Sequence, residues 1–284
     1  DGDAIGSLLG VTWTLRALQK EVTAHTPNAP PAFLDFLPGF STITQTADEL
    51  GRTDLVIALD HSELHRTGLE RELLEGRCPV IAIDHHATAD RKASIALIVP
   101  EAAATAEILE GLLPALGLPI TAEVATCLLT GIITDTGSFQ HANTSTRVLD
   151  TAARLVERGA DLSAITSRVF AGRSLSALRV AGRALERLTV NPDTGVVLSV
   201  LTKSDLEECG TTAENLTGVV NLLNTIPEAN FSLLLTEIEE GKIKGSLRSE
   251  PEAAVDVSSI ARRFGGGGHR LASGFEVAGR LVRD

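Results

Sequence analysis

The run Val80-Ile81-Ala82-Ile83 is wholly apolar and stops at Asp84-His85-His86. A short apolar run of this kind reads as a strand buried on both faces, as in a parallel sheet. An acid and two adjacent imidazoles are poor core material, because an unpaired carboxylate is costly to bury. The strand therefore points to a hard-metal or phosphate site at its carboxyl end. Upstream, Leu55 to Leu59 is a second β-rich run that ends at Asp60, and residues 63 to 75 between the two have a helical pattern. Strand, helix, strand is the signature of a parallel sheet with crossover helices.

The flanking sequence extends this pattern. Residues 4 to 20 read as a helix, with Ile5, Leu8, Leu9, Thr12 and Leu15 close to one face. Residues 101 to 117 and 121 to 134 read as further helices, the second with Thr121 as its N-cap. The stretch Leu128 to Ile133 also fits a strand. Residues 146 to 158 form another helix, closed by Gly159. From 161 to about 188 the pattern stays helical, with Arg168, Arg173, Arg179, Arg183 and Arg187 interspersed. After Asn191-Pro192-Asp193, strands are expected over 196 to 201, 231 to 238 and 242 to 248, with a turn at Glu240-Gly241. Helices are expected over 212 to 226 and 256 to 264. The expected fold is α/β: a parallel-sheet domain over 1–160, a helical connector over 161–189, and a smaller α+β domain over 190–284.

With 284 residues, each domain can bury its own core. A formal charge of −12 argues against a basic surface that grips long nucleic acid. It leaves room for a short phosphorylated substrate, since bound cations present a positive field to such a ligand. Cys78, Cys127 and Cys209 are far apart, form neither a zinc pair nor a disulfide framework, and are read as reduced and structural. No apolar run approaches a membrane span and no signal peptide precedes the first motif. A cytoplasmic protein with no membrane partner is the expectation.

Asp1-Gly2-Asp3 opens the chain just before a helix, and Asp60, Asp84 and Asp135 each end a different element. In an open parallel sheet the carboxyl ends of strands converge on one crevice. One such Asp usually caps a helix or solvates a loop. A Gly-spaced Asp pair together with a double His favours a site. Carboxylates and imidazoles suit manganese or magnesium, and several carboxylates at one point repel one another unless cations neutralise them.

These motifs resemble those of the DHH phosphoesterase superfamily. Asp1-Gly2-Asp3-Ala4-Ile5-Gly6-Ser7 is similar to its first motif, Asp60 to its second, Asp84-His85-His86 to its third, and Thr134-Asp135-Thr136-Gly137-Ser138 to its fourth. Gly245-Ser246-Leu247-Arg248-Ser249 and Gly265-Gly266-Gly267-Gly268-His269 resemble the DHH-associated substrate-binding domain. The resemblance implies two manganese ions, with magnesium or cobalt as substitutes, held by Asp1, Asp3, Asp60, His85 and Asp135. Asp60 would bridge the ions, His86 would sit against the scissile phosphate, and Asp84 would orient the site. In the superfamily a metal-binding His stands four residues before the first Asp, a position outside this sequence, and a strand is expected before Asp1.

The compact members most similar to this chain degrade very short RNA and dephosphorylate 3′-phosphoadenosine 5′-phosphate. Short RNA and small nucleotides are therefore the implied substrates, with a homodimer one option for the assembly. At the substrate end, Gly266, Gly267 and Gly268 would offer backbone N–H groups to a phosphate, with Arg248 and His269 adding charge. The plain reading of the glycine run is a helix cap and turn. Arg262 and Asn143 are further candidate contacts. Aromatic residues are scarce, and Phe139 is the candidate for a single stacking contact, though a Phe in that position is commonly core. His25, His61 and His65 are read as solvated or helix-surface residues.

The rival readings are hydrolysis of linear or cyclic dinucleotides and, in a different class, a nucleotide-binding regulatory module without catalysis. A pyrophosphatase of the superfamily would carry Ser-Arg-Lys-Lys in its second domain, and no Lys-Lys occurs here. A long single-strand exonuclease would need another nucleic-acid-binding domain.

Overall fold

Helix α1 (Gly2–Ala17) begins one residue into the chain, and the Asp1 carboxylate caps it by accepting the Ala4 N–H at 3.0 Å. The structure is a computed structural model that describes residues 1–46, 53–70, 73, 75, 76, 78–89, 92–171, 174–216, 219–226, 229–250, 253 and 255–282. The chain divides into two units, Asp1–Gly172 and Arg173–Asp284. The fold class is mixed α/β, with a parallel sheet in the first unit and a separate mixed sheet in the second.

In the first unit, the short strands β1 (Ala24–His25) and β2 (Ile43–Thr44) pair in parallel. Strands β3 (Val56–Leu59), β4 (Val80–Asp84) and β5 (Ile95–Ile98) form the expected parallel sheet. Leu59 stands opposite Ile83, so Asp60 and Asp84 leave the sheet side by side at its carboxyl edge. Over residues 63 to 75 the described part shows a tight 3-10 turn at Leu64–Thr67 and helical residues at Glu70 and Leu73, and residues 71, 72 and 74 lie outside the described residues. Helices α2 (Thr105–Ala115), α3 (Ala122–Asp135) and α4 (Thr146–Glu157) follow. Thr121 caps α3 as expected, and Leu128 to Ile133 is helical. Glu110, buried on α2, accepts hydrogen bonds from Arg154 and Arg158 and ties α2 to the end of α4.

The contact between α1 and α3 is unusually close. Gly2, Gly6 and Gly10 form an i, i+4, i+8 stripe on one face of α1. A Cβ on Gly6 would strike the Cys127 carbonyl oxygen, and one on Gly2 would strike the Thr134 side chain. A Cβ on Gly10 would lie 3.0 Å from Leu128 Cδ2. On the facing helix, a Cβ on Gly131 would lie 2.7 Å from Asp3 Oδ1. The helices run antiparallel, so the start of α1 meets the end of α3.

The connector region contains the short helix α5 (Leu162–Thr166), a wide π-helical turn over Ser167–Ala171, and α6 (Leu175–Glu186). Arg173, expected within one continuous helix, lies outside the described residues. The second unit continues with β6 (Thr189–Asn191), β7 (Val196–Leu201), α7 (Lys203–Cys209), α8 (Val219–Leu223), β8 (Phe231–Glu239), β9 (Lys242–Arg248), α9 (Val257–Arg263), β10 (Gly267–Gly268) and β11 (Ala272–Ala278). Of the helix expected over 212 to 226, residues 217 and 218 lie outside the described residues. The sheet order is β10-β11-β9-β8-β7-β6, antiparallel except between β7 and β8. Along β8, Leu234 joins the core under α6, α7 and α8, while Leu233 and Leu235 join the one under α9. This is the period-2 alternation of a strand covered on both faces. No helix among the described residues is long and apolar enough to cross a membrane.

Gly6→Ala should cost about 1–3 kcal/mol of stability, because the methyl group meets backbone that cannot step aside. Gly182 sits mid-helix in α6 with open space where its Cβ would be. Gly182→Ala should therefore stabilise by about 0.5–1 kcal/mol. Urea-unfolding midpoints of the two variants, moving in opposite directions, check both statements.

Candidate metal centre

The α1–α3 seam carries Asp3 to Asp135, and the edge of the parallel sheet brings Asp60, Asp84, His85 and His86 to the same place. Two donor groups result, Asp3 with His85 and Asp135, and Asp60 with His85 and His86, each with its ligand atoms within 4.8 Å of one another. His85 Nε2 lies 3.3 Å from Asp135 Oδ2 and 3.6 Å from Asp60 Oδ1. Asp1 is outside both groups, and its exposed carboxylate is engaged as the α1 cap.

The segment Ala102–Ala106, which sequence reasoning passed over, binds most of this cluster. Thr105 and Ala106 donate their N–H groups to Asp3 Oδ2 and Oδ1 at 2.6 and 2.9 Å. Ala104 has no side chain that can cap α2, so Asp3 does it from another helix. The Thr105 hydroxyl donates to Asp60 Oδ1 at 3.1 Å. The Ala102 carbonyl lies 3.2 Å from His85 Nδ1, which fixes the tautomer with Nδ1–H donating and Nε2 free as a ligand. Asn143 donates to the carbonyls of Ala103 and Asp135, at 3.2 and 3.3 Å. Asn143 Nδ2 thus holds two loops together. A helix that starts at Ala-Ala-Ala-Thr with no capping residue was the available signal that its cap comes from elsewhere.

Asp84 is fully buried and acts as an acceptor at the centre of the loops. Its Oδ1 takes the His86 N–H at 2.8 Å and the His86 Nδ1–H at 2.7 Å, and its Oδ2 takes the Ser62 N–H at 2.6 Å. Burial opposes its ionisation, but these bonds outweigh burial and hold the carboxyl down at about 2. Asp84 thereby fixes the His86 ring and the Ser62 turn. His61 does not fit its expected place on the surface: it is 5% exposed, with Nδ1 3.6 Å from Asp84 Oδ2. His25 is also not a solvated residue, since it lies in β1 with both ring nitrogens buried. His65 is exposed beside Glu63, as expected.

The ligand carboxylates show the electrostatic problem directly. Burial first, and then the facing Asp135, push Asp3 well above the usual carboxylate range despite its helix-cap bonds. Burial, Asp3 and Asp135 do the same to Asp60. Burial works against a charged His85, but Asp135, Asp3 and Asp60 raise it to about 9. Asp135 is the last residue of α3, where the helix dipole is unfavourable to an anion. Asp60 also holds a left-handed backbone, φ 50°, a conformation that non-glycine residues adopt at some energetic cost. His85 Nε2 is buried and has no hydrogen-bond partner among the described residues. Crowded carboxylates, an orphaned imidazole nitrogen and an all-oxygen-and-nitrogen donor set fit a hard divalent cation.

After Asp135 the chain makes a left-handed turn through Gly137, Ser138 and Phe139, with φ of 56°, 60° and 65°. Phe139 is half-buried and packs on the main core of the first unit.

In the second unit, Arg248 ends β9 half-buried, bonded to Asn221 Oδ1 at 2.9 Å and to the Leu247 carbonyl at 2.8 Å. Burial lowers its pKa. The glycine run has separable roles. Gly265, φ 74°, closes α9, and the Gly266 N–H bonds back to Ala261. A Cβ on Gly266 would strike the Gly274 carbonyl. Gly267 and Gly268 form the edge strand β10, whose backbone carries no side chains, and His269 is exposed just beyond it. Arg262 is exposed, bonded to Ser258 and 3.8 Å from Asp256 Oδ2.

Comparison with known proteins gives a consistent set of likenesses. The profile of the DHH family, N-terminal domain, matches residues 1–132, and that of the DHHA1 domain matches residues 193–282. The chain is 38% identical over 280 residues to a protein of Thermus thermophilus named bifunctional oligoribonuclease and PAP phosphatase NrnA, covering 98% of this chain and 82% of that protein. A Bacillus subtilis protein of the same name is 26% identical, covering 100% of this chain and 90% of its own length. A solved structure, an exopolyphosphatase-related protein from Bacteroides fragilis, superposes with a TM-score of 0.93 at 32% identity, covering 99% of this chain and 85% of that one.

Without a cation, folded Asp3 and Asp60 keep protons that the unfolded chain releases near 3.8, and folded His85 keeps one up to about 9 against 6.5 when unfolded. The folded state then binds more protons, so its stability falls as pH rises. In chelator, the melting temperature should fall between about pH 5 and about pH 8.5, and added manganese should raise it more at the higher pH, since binding releases those protons. An equal gain at both ends would contradict this assignment of the charges.

Proposed function

We propose that this chain, which belongs to the DHH phosphoesterase family and is a phosphoric ester hydrolase, is a manganese-dependent phosphodiesterase of very short oligoribonucleotides that also dephosphorylates 3′-phosphoadenosine 5′-phosphate. The relatives named as oligoribonuclease and PAP phosphatase support both activities. The observation that carries the reading is the meeting of buried Asp3, buried Asp60 and half-buried Asp135 around the orphaned Nε2 of His85. These four residues would hold divalent metal, with Asp60 shared between ions and Asp1 contributing its second oxygen. Bound there, divalent cations would lower the pKa of a water and stabilise the leaving oxygen. Short RNA and small nucleotides are the substrates in this reading, in a chain organised as catalytic domain, connector and substrate-binding domain.

The chain's own groups do the positioning. His86 gives its Nδ1–H to Asp84, and that bond would hold the ring against the scissile phosphate. Arg248 and His269, with the side-chain-free backbone of Gly266, Gly267 and Gly268, would anchor the substrate's other phosphate or terminus. Arg262 stands close enough in sequence to add charge to that end.

Turnover of a labelled dinucleotide in manganese tests the reading. Asp60→Ala and His85→Ala should each lower kcat by at least about a thousandfold. Retention of full activity by both variants would refute the metal centre. Arg248→Ala should act mainly on KM, as expected for a group that binds ground and transition states alike. A regulatory module, by contrast, would bind nucleotide in chelator and turn nothing over when manganese is restored.

A further inference from the structure

Phe264 is the last residue before the glycine run, and its side chain is 50% exposed. It is stacked on Phe275, with ring centroids 4.6 Å apart and planes 24° apart. Phe275 belongs to the core under α9 and is 8% exposed. The lower ring lies against backbone that carries no side chains. A Cβ on Gly245 would strike the Phe275 ring, and one on Gly266 would lie 2.6 Å from Phe275 Cβ. Glycine on the neighbouring strand and glycine in the turn therefore clear the space in which Phe275 lies beneath Phe264. A core needs the lower ring; it gains less from the upper one, which leaves half its surface in water.

We infer that Phe264 is a platform on which a nucleobase of the substrate stacks. The inference rests on the reading of the chain as an enzyme of short oligonucleotides. An aromatic ring backed by a second ring and open on its other side is the form that base-stacking sites take, and it tolerates any base because every base has a π-face. The surroundings suit a nucleotide. Gly267 and Gly268 pair with Gly274 and Ser273, the next two residues along β11 from Phe275, which places the bare backbone of the sheet edge about 3–7 Å from it along the strand. A phosphate on that backbone and a base on Phe264 belong to one nucleotide.

The test is a cycle of protein variant against substrate. Phe264→Ala should raise KM for a dinucleotide by about tenfold or more, with a much smaller effect on kcat, and Phe264→Trp should restore it. The same Phe264→Ala change should leave KM unaltered for a dinucleotide analogue whose corresponding base is replaced by hydrogen. A dinucleotide carrying 2-aminopurine, added in chelator so that no turnover occurs, should be quenched by the wild-type protein and not by Phe264→Ala. Equal KM values with a lowered melting temperature would show that Phe264 only covers the core, and would overturn the inference. So would a loss of equal size on the base-free analogue. Failure of the wild-type protein to cleave any dinucleotide would refute the reaction itself; the stacking would then be decided by the quench alone.

Discussion

Two helices can approach backbone to backbone only where side chains are absent, and the acid cluster depends on one such approach. The stripe Gly2, Gly6, Gly10 on α1 lets α3 come so near that a methyl group at Gly6 would meet the Cys127 carbonyl. The antiparallel sense of the pair then sets Asp3, in the first turn of one helix, beside Asp135, in the last turn of the other. Residues far apart in sequence share one buried volume because three positions, four residues apart, carry hydrogen in place of a methyl group. Gly131 completes the seam from the other side, since a Cβ there would lie 2.7 Å from Asp3 Oδ1.

That closeness creates an electrostatic cost, which the loop before α2 manages. Asp3 is stabilised by the first N–H groups of α2, a helix whose own cap position is an alanine. One carboxylate thus serves the N-terminus of a helix and a ligand cluster together. Asp84 is treated differently, with three donors and an adjacent imidazole, so it stays ionised while Asp3 and Asp60 are pushed toward protonation. The chemistry follows from that division. The carboxylate with satisfied lone pairs orients His86, and those with unfavourable charge are left for a cation to neutralise.

The parts of this arrangement that were legible in the sequence share one property: they are carried by side chains with strong preferences. The strands ending at Asp60 and Asp84 show as apolar runs, and the aspartates and double His show as residues out of place at the end of them. What was missed is carried by backbone or by tertiary contact. Ala102 to Ala106 offers carbonyls and N–H groups, and no residue type signals those. His61 reads like any loop histidine until Asp84 is seen beside it. Strand β11 went unrecognised because Ala272-Ser273-Gly274 has low strand propensity, and only pairing with β9 makes it a strand. Phe139 and Phe264 are equivalent in type, and each lies within two residues of a glycine. Only packing shows that the first faces a core and the second faces water.

The position of Asp1 follows from the same economy of carboxylate oxygens. A carboxylate has two oxygens and about four acceptor sites, and the Ala4 N–H takes one site on Oδ1. Capping α1 therefore does not consume the group. It turns the carboxylate over the first turn of the helix, on the end of α1 that also carries Asp3. The cap bond holds one oxygen against α1. Its cap bond is the counterpart of the Thr105 and Ala106 bonds to Asp3. In both cases a helix N-terminus fixes the orientation of a carboxylate, and its partial positive charge stabilises that anion before any metal arrives.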